Sequence, residues 1–142
     1  MTLVVDSVRV LRLLRRLTDE VIVLDHERGA TDTRRADALW LRGVKYSFVV
    51  AIETAVDVAQ HLCAGGGWGP PSDNGPAVRL LAEHGVVPPD RAARMSRAVG
   101  FRNLLVHDYA VVDDTVVTAR LEDLPDLESF ARSVARWVQP PA

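Results

Sequence analysis

Residues 44–62, VKYSFVVAIETAVDVAQHL, decide the fold. Apolar side chains there fall on almost every side of a helix, as expected of one packed against several neighbours. Convincing strand alternation is scarce, and a spacing of three to four residues dominates the whole chain. A cap among Thr31, Asp32 and Thr33 predicts the start of this helix, which runs to about Cys63 before Gly65, Gly66 and Gly67 end it.

Working outward, the same periodicity places the other helices. Asp6 or Ser7 caps a first helix with Leu11, Leu14, Leu17, Val21 and Leu24 on its apolar face, Arg9, Arg12, Arg15 and Arg16 on other faces, and Gly29 at its end. The stretch GGGWGPPSDNG at 65–75 reads as an irregular loop. Pro76 suits the first position of a short third helix closed by Gly85. Residues 86–89 form an extended connector, and Asp90 caps a fourth helix from Arg91 to about Val106 or His107. A helical turn follows over 115–121. The last helix runs from about Leu124 to Val138 on a stripe of Leu127, Phe130, Val134 and Trp137, and Pro140 and Pro141 terminate it. The valines at 110–117 also suit two short strands, but Asp113 and Asp114 interrupt them and a lone hairpin is marginally stable, so helix or turn is favoured. The expected fold is all-α, an antiparallel bundle of four main helices plus short ones, in one domain over 1–142.

Composition narrows the function classes. The 142 residues are 48% hydrophobic and 25% charged, with a net charge of −2 and a sequence pI near 6.1. General attraction to nucleic acid or to an anionic membrane is therefore not expected, and any phosphate site must come from a local basic patch. Cys63 is the single cysteine, which excludes an internal disulfide framework and a cysteine-rich zinc module and suits a reducing, cytoplasmic setting. Neither a signal peptide nor an apolar run of membrane-spanning length is expected. Sixteen of the seventeen cationic residues are Arg, and Lys45 is the exception; that skew carries no functional reading by itself.

The chemistry concentrates in residues 102–109, RNLLVHDY. The imidazole of His107 can take up or release a proton. Arg102 presents a planar, permanently charged fork that matches phosphate oxygens. Together they supply a base for a ribose 2′-hydroxyl and a cation for the charge that builds on phosphorus, enough to cleave RNA without a metal. On a regular helix Asn103 and His107 share a face, whereas Arg102 and His107 stand about 140° apart. Either the helix end bends, or a second copy of the domain completes the site. The plainer alternative is an arginine and a histidine on the rim of a helical bundle.

This arrangement, an arginine, a polar residue, three apolar residues, a histidine, one residue and a tyrosine, resembles the signature of the HEPN superfamily. Within it, the chain is similar to the HepT-like ribonuclease toxins. The likeness extends from about Leu39 to Trp137: the helix holding Tyr46, Ile52, Glu53, Val56, Asp57 and His61, the Gly/Pro loop, the short helix and Asp-Leu-Pro at 123–125 follow the family's order. The resemblance implies that Arg102 and His107 are the ribonuclease residues, with Asn103 in support. It implies a homodimer whose motif helices face each other across a composite cleft. It also implies a nucleotidyltransferase antitoxin that transfers AMP to Tyr109, a bulky anion that would block and repel RNA. No cofactor or metal is implied.

Arg91, Arg94, Arg97 and Arg102 share a segment without acidic residues, a patch suited to an RNA backbone; their alternative is to lie along the bundle or pair with carboxylates. For Arg9, Arg12, Arg15 and Arg16 a solvated face or an antitoxin contact is favoured over RNA. Asp57 and His61 form an i, i+4 pair, read as a hydrogen-bonded interior pair rather than metal ligands; the remaining histidines lack metal-ligand spacing. Trp68 either stacks on a base or a partner or plugs the bundle end, and Trp40 and Trp137 read as core or interface. The leading expectation is a metal-independent endoribonuclease toxin; the alternative is a non-catalytic helical module that binds a nucleotidyltransferase and is modified by it.

Overall fold

The computed structural model describes residues 5–69, 74–107 and 112–139. Helix α1 (Ser7–Arg28) opens on Asp6, whose carboxylate accepts from the Arg9 N–H at 3.0 Å. It buries Val10, Leu14, Leu17, Val21 and Leu24; Val10 takes the place expected of Leu11, which is only partly covered. The helix expected from the 31–33 cap to Cys63 is two helices. Thr31 caps a single turn, α2 (Asp32–Arg35), and Asp37 caps a new start by accepting from the Leu39 N–H at 2.8 Å, so the long helix is α3 (Ala38–Gly66). Two cap-forming side chains six residues apart each satisfy backbone donors, and that breaks the helix between them.

Helix α3 also runs farther than expected. Gly67 adopts the left-handed conformation at φ 68°. The Trp68 N–H donates to the Cys63 carbonyl at 2.9 Å and the Gly67 N–H to the Ala64 carbonyl at 3.3 Å, so only the third glycine of the run terminates the helix. Trp68 then folds back over the end. Its indole stacks on His84 (centroids 4.2 Å apart, 3° between planes) and meets Trp137 edge-on at 5.8 Å, closing the bundle end.

Helix α4 (Asn74–Glu83) precedes α5 (Pro89–His107). The Ala92 N–H donates to the Pro88 carbonyl, so α5 begins with a proline at its first position and Asp90 lies inside the first turn rather than capping it. Asp113 caps α6 (Asp114–Ala119), accepting from the Thr115 N–H and hydroxyl, both of which hold its carboxyl below the usual range. A 3₁₀ turn (Arg120–Asp123) leads into α7 (Leu124–Val138). Over the described part of 110–117 the helical alternative is the one adopted; Ala110 and Val111 lie outside the described residues.

Helix α3 packs against α1, α2, α4, α5 and α7, and α1 and α5 each pack on α7. This is the bundle of four main helices expected, with α3 at its centre. By length and hydropathy α3 does reach membrane-spanning dimensions, contrary to the expectation that no such segment occurs. Yet 61% of its most apolar window is buried inside the protein, so its composition serves the core.

A polar cluster ties α1 to α2 and α3. Glu27 accepts from Arg34, from Trp40 Nε1 at 2.9 Å and from His26 at 3.1 Å, and the Arg35 guanidinium lies over the Trp40 ring at 5.1 Å. The Arg34 hydrogen bond, followed by that of His26, lowers the Glu27 carboxyl from 4.5 to about 2. A carboxyl depressed on folding contributes stability that is complete above its unfolded value and is lost as pH falls through the folded one. Acid titration of wild-type protein should therefore lose stability between pH 4.5 and about 2, and Glu27→Gln should flatten that part of the profile in denaturant melts.

Two glycines of α3 predict opposite outcomes. A Cβ on Gly66 would stand 2.3 Å from the Trp68 ring, which His84 and Trp137 hold in place, so Gly66→Ala should destabilise by about 1–3 kcal/mol. A Cβ on the exposed Gly43 meets nothing within 4 Å, and Gly43→Ala should stabilise by about 0.5–1 kcal/mol. Thermal denaturation of the two variants checks both signs.

Candidate active site

Helix α5 carries the motif residues as an unbroken helix through His107. Its buried side, Ala92, Met95, Val99, Phe101 and Leu105, faces the bundle. Arg102 stands beside that side and turns toward α3: its Nη2 donates to Glu53 Oε1 at 2.5 Å and its Nη1 to Asn103 Oδ1 at 2.9 Å. The Arg102 side chain is 19% exposed and that of Glu53 45%. Arg102 Nε is buried and has no hydrogen-bond partner. A largely covered guanidinium gripped by a carboxylate and an amide is well oriented. Its charge is compensated until an anion displaces or shares Glu53.

His107 is the last residue of α5 and is exposed. Five residues separate it from Arg102, about 7.5 Å along the axis and about 140° around it. The helix does not bend to bring them together, so within one chain Arg102 faces α3 while His107 faces solvent. Asn103, expected in a supporting role, is the residue that braces Arg102. Asp108 and Tyr109 lie outside the described residues.

The basic segment is divided by its own chain. Arg94 reaches Asp126 on α7 at 3.3 Å, whereas Arg97 has no hydrogen-bond or ion-pair partner among the described residues and Arg91 is partly covered. The i, i+4 pairing expected of Asp57 and His61 is not made. His61 Nε2 instead accepts from the backbone N–H of Asp6 at 3.3 Å, anchoring the start of α1, and Asp57 is exposed. Among the described residues no group of three or more His, Cys, Asp or Glu side chains is placed to hold a metal ion. Cys63 is buried against the Ala77 carbonyl, and burial pushes its thiol pKa up, the opposite of a reactive cysteine.

Glu53 is the candidate site residue that the motif does not contain. It lies 49 positions from Arg102 in sequence. The available signal was its charge: it is the sole carboxylate between Val44 and Val56 in an otherwise largely apolar stretch, which demands either solvent or a cation.

A family model described as Ribonuclease HepT-like matches residues 9–134. The mRNA nuclease HepT of Shewanella oneidensis is 30% identical over 79 residues, 55% of this chain and 59% of that protein. A protein of Archaeoglobus fulgidus named "Putative RNase" is 33% identical over 85 residues, 60% of this chain and 64% of that protein. The chain thus spans about three fifths of the length of these curated relatives. Among solved structures, the tri-AMPylated HEPN toxin of Shewanella oneidensis in complex with MNT antitoxin superposes with a TM-score of 0.81 at 20% identity, over 88% of this chain and 95% of that one. YutE of Bacillus subtilis, a cytosolic protein of unknown function, gives 0.85 at 16% identity over 99% and 98%. At these identities the likeness is one of fold.

The Glu53–Arg102 pair is directly measurable. In a double-mutant cycle of Glu53→Ala and Arg102→Ala, urea denaturation should give a coupling of about 1 kcal/mol. Additive effects of the two substitutions would contradict the contact.

Proposed function

Because the chain belongs to the HepT-like ribonuclease family, we propose that it is a metal-independent endoribonuclease, the toxin of a toxin–antitoxin pair. The observation that carries this reading is Arg102, oriented by Glu53 and Asn103 on the helix that ends in an exposed His107. The neutral His107 imidazole takes the proton of a ribose 2′-hydroxyl, and the O2′ attacks phosphorus. The bond from phosphorus to O5′ breaks, an imidazolium returns a proton to O5′, and the products carry 2′,3′-cyclic phosphate and 5′-hydroxyl ends. Arg102 stabilises the negative charge that accumulates on the phosphoryl oxygens.

The angular separation of Arg102 and His107 favours a homodimer in which the two groups come from adjoining copies. Support comes from the outer face of α5. Gly100, where a Cβ would meet nothing, Leu104, 47% exposed, and His107 lie within about 60° of one another on that face. A small residue beside an uncovered leucine lets two helices approach closely. The printed description of the Shewanella toxin, AMPylated and bound to MNT antitoxin, supports a nucleotidyltransferase partner here as well. In that reading the Tyr109 phenol displaces pyrophosphate from ATP and retains AMP. A bulky anion two residues from His107 then excludes RNA from the cleft. Arg91, Arg94 and Arg97 are assigned to the RNA backbone, with Arg97 the most available of the three.

His107→Ala tests the mechanism. At unchanged melting temperature it should lower cleavage of an RNA oligonucleotide by about 10²–10⁴-fold, and mass spectrometry should find cyclic-phosphate ends in the wild-type digest alone. A His107→Ala protein that cuts RNA at the wild-type rate sinks the assignment. Expression that is harmless with or without the partner would instead support the non-catalytic module.

A further inference from the structure

Helices α1 and α7 run antiparallel, since Arg28 at the end of α1 meets Glu122, just before α7, at 3.6 Å. Between them lies an open groove of about 590 Å³. Its α7 side is floored by Ala131 and Ala135, whose small side chains leave the space. Its α1 side is raised by Leu11, Thr18 and Ile22. Ile22 is 66% exposed, and Val8, one turn before Leu11 on the same edge, is 67% exposed. A ridge and a hollow thus stand side by side, with uncovered apolar surface at both ends of the ridge.

Four charges line the same groove, Arg15 and Asp19 from α1 and Glu128 and Arg132 from α7. The side chains of Arg15, Asp19 and Glu128 have no ion-pair or hydrogen-bond partner among the described residues, and Arg132 reaches only Ser129 Oγ, at 3.4 Å. Each helix spaces its own two charges at i, i+4, which allows a pair, yet neither pair closes. Because the helices are antiparallel, both arginines lie toward the start of α1 and both carboxylates toward its end. The groove therefore has a positive end and a negative end. A nucleic acid or an anionic membrane surface laid along it would meet Asp19 and Glu128, and so would a uniformly acidic protein. An identical groove turned end for end presents the opposite sign at each level. A twofold axis crossing α1 near Leu17 does this, bringing the level of Arg15 close to that of Asp19 and the level of Leu11 close to that of Ile22.

We propose that a second copy of this chain docks end for end on the α1–α7 groove. In this isologous contact Arg15 and Arg132 of each copy face Asp19 and Glu128 of the other, and the ridge of each fills the hollow of the other. The contact is separate from the outer face of α5, because no residue of α5 lines the groove. It does not depend on the ribonuclease reading, and a chain that uses both faces assembles beyond a dimer.

The test is the mass of the full-length protein by sedimentation and light scattering over a concentration series. Leu104→Glu, at an exposed position of α5, removes pairing through that helix, so any remaining dimer must use another face. This variant should still reach twice the 15.6 kDa chain mass at about 100 μM. In the same background, Arg15→Glu with Arg132→Glu places like charges opposite one another and should weaken dimerisation by more than about tenfold. Asp19→Arg with Glu128→Arg should do the same. All four substitutions together reverse both ends of the groove and should restore the dimer. If a charge variant melts early, Ile22→Ser, which leaves the charges untouched, should weaken dimerisation instead. A Leu104→Glu chain that stays monomeric at that concentration overturns the proposal. So does a dimer indifferent to the charge reversals and to Ile22→Ser, or one weakened by the arginine reversals and not by the carboxylate reversals.

Discussion

Burial of α3 is the constraint from which the rest of the structure follows. A helix apolar on nearly all sides gains stability only when other helices cover it, and here α1, α4, α5 and α7 do so. Polar groups are then admitted to α3 on restrictive terms. Thr54 is buried and donates its hydroxyl to the Val50 carbonyl one turn back at 2.7 Å. Glu53 cannot satisfy a carboxylate that way, so it sits at the edge of the seam with α5 and takes Arg102 as its counter-ion. The position of the candidate site is thus a consequence of where the central helix can tolerate charge.

That arrangement has a chemical effect. An arginine left free on a helix samples many rotamers and meets a phosphate only after losing that freedom. Arg102, held by Glu53 and Asn103 and packed to 19% exposure, has lost it on folding. Compensation by Glu53 weakens the field that a distant phosphate experiences. Under the proposed ribonuclease reading, selectivity rests on ligands that reach the guanidinium directly rather than on general attraction, in keeping with a net charge of −2.

The arginines outside the motif separate into two populations. On α1, Arg9, Arg12, Arg15 and Arg16 are exposed opposite the buried stripe, without ion-pair partners among the described residues. On α5 the chain supplies its own acid to Arg94 and leaves Arg97 over. Clusters that look equivalent as composition therefore differ in available charge, because Arg94 meets Asp126 at the start of α7 whereas the four α1 arginines meet no carboxylate among the described residues.

Periodicity and end signals sufficed for the helices. The stripes of α1 and α7, the closure at Gly29 and the all-round apolar character of α3 are local properties of backbone geometry and side-chain hydrophobicity, and they determined an all-α bundle before any contact was known. The spacing of Arg102, Asn103 and His107 was equally legible, because a helix converts sequence separation into angle. Contacts between distant positions were not. Nothing local told that Glu53 would meet Arg102 across 49 residues, that His61 would serve Asp6 rather than Asp57, or that Trp68 would fold between His84 and Trp137. The break at Asp37 was missed for a related reason: Thr31 and Asp37 are both competent caps, and pattern alone does not say that both are used. Periodicity specifies which face of each helix is buried, but the partner of a polar side chain is chosen by how the buried faces pack, and that exists only once the chain is folded.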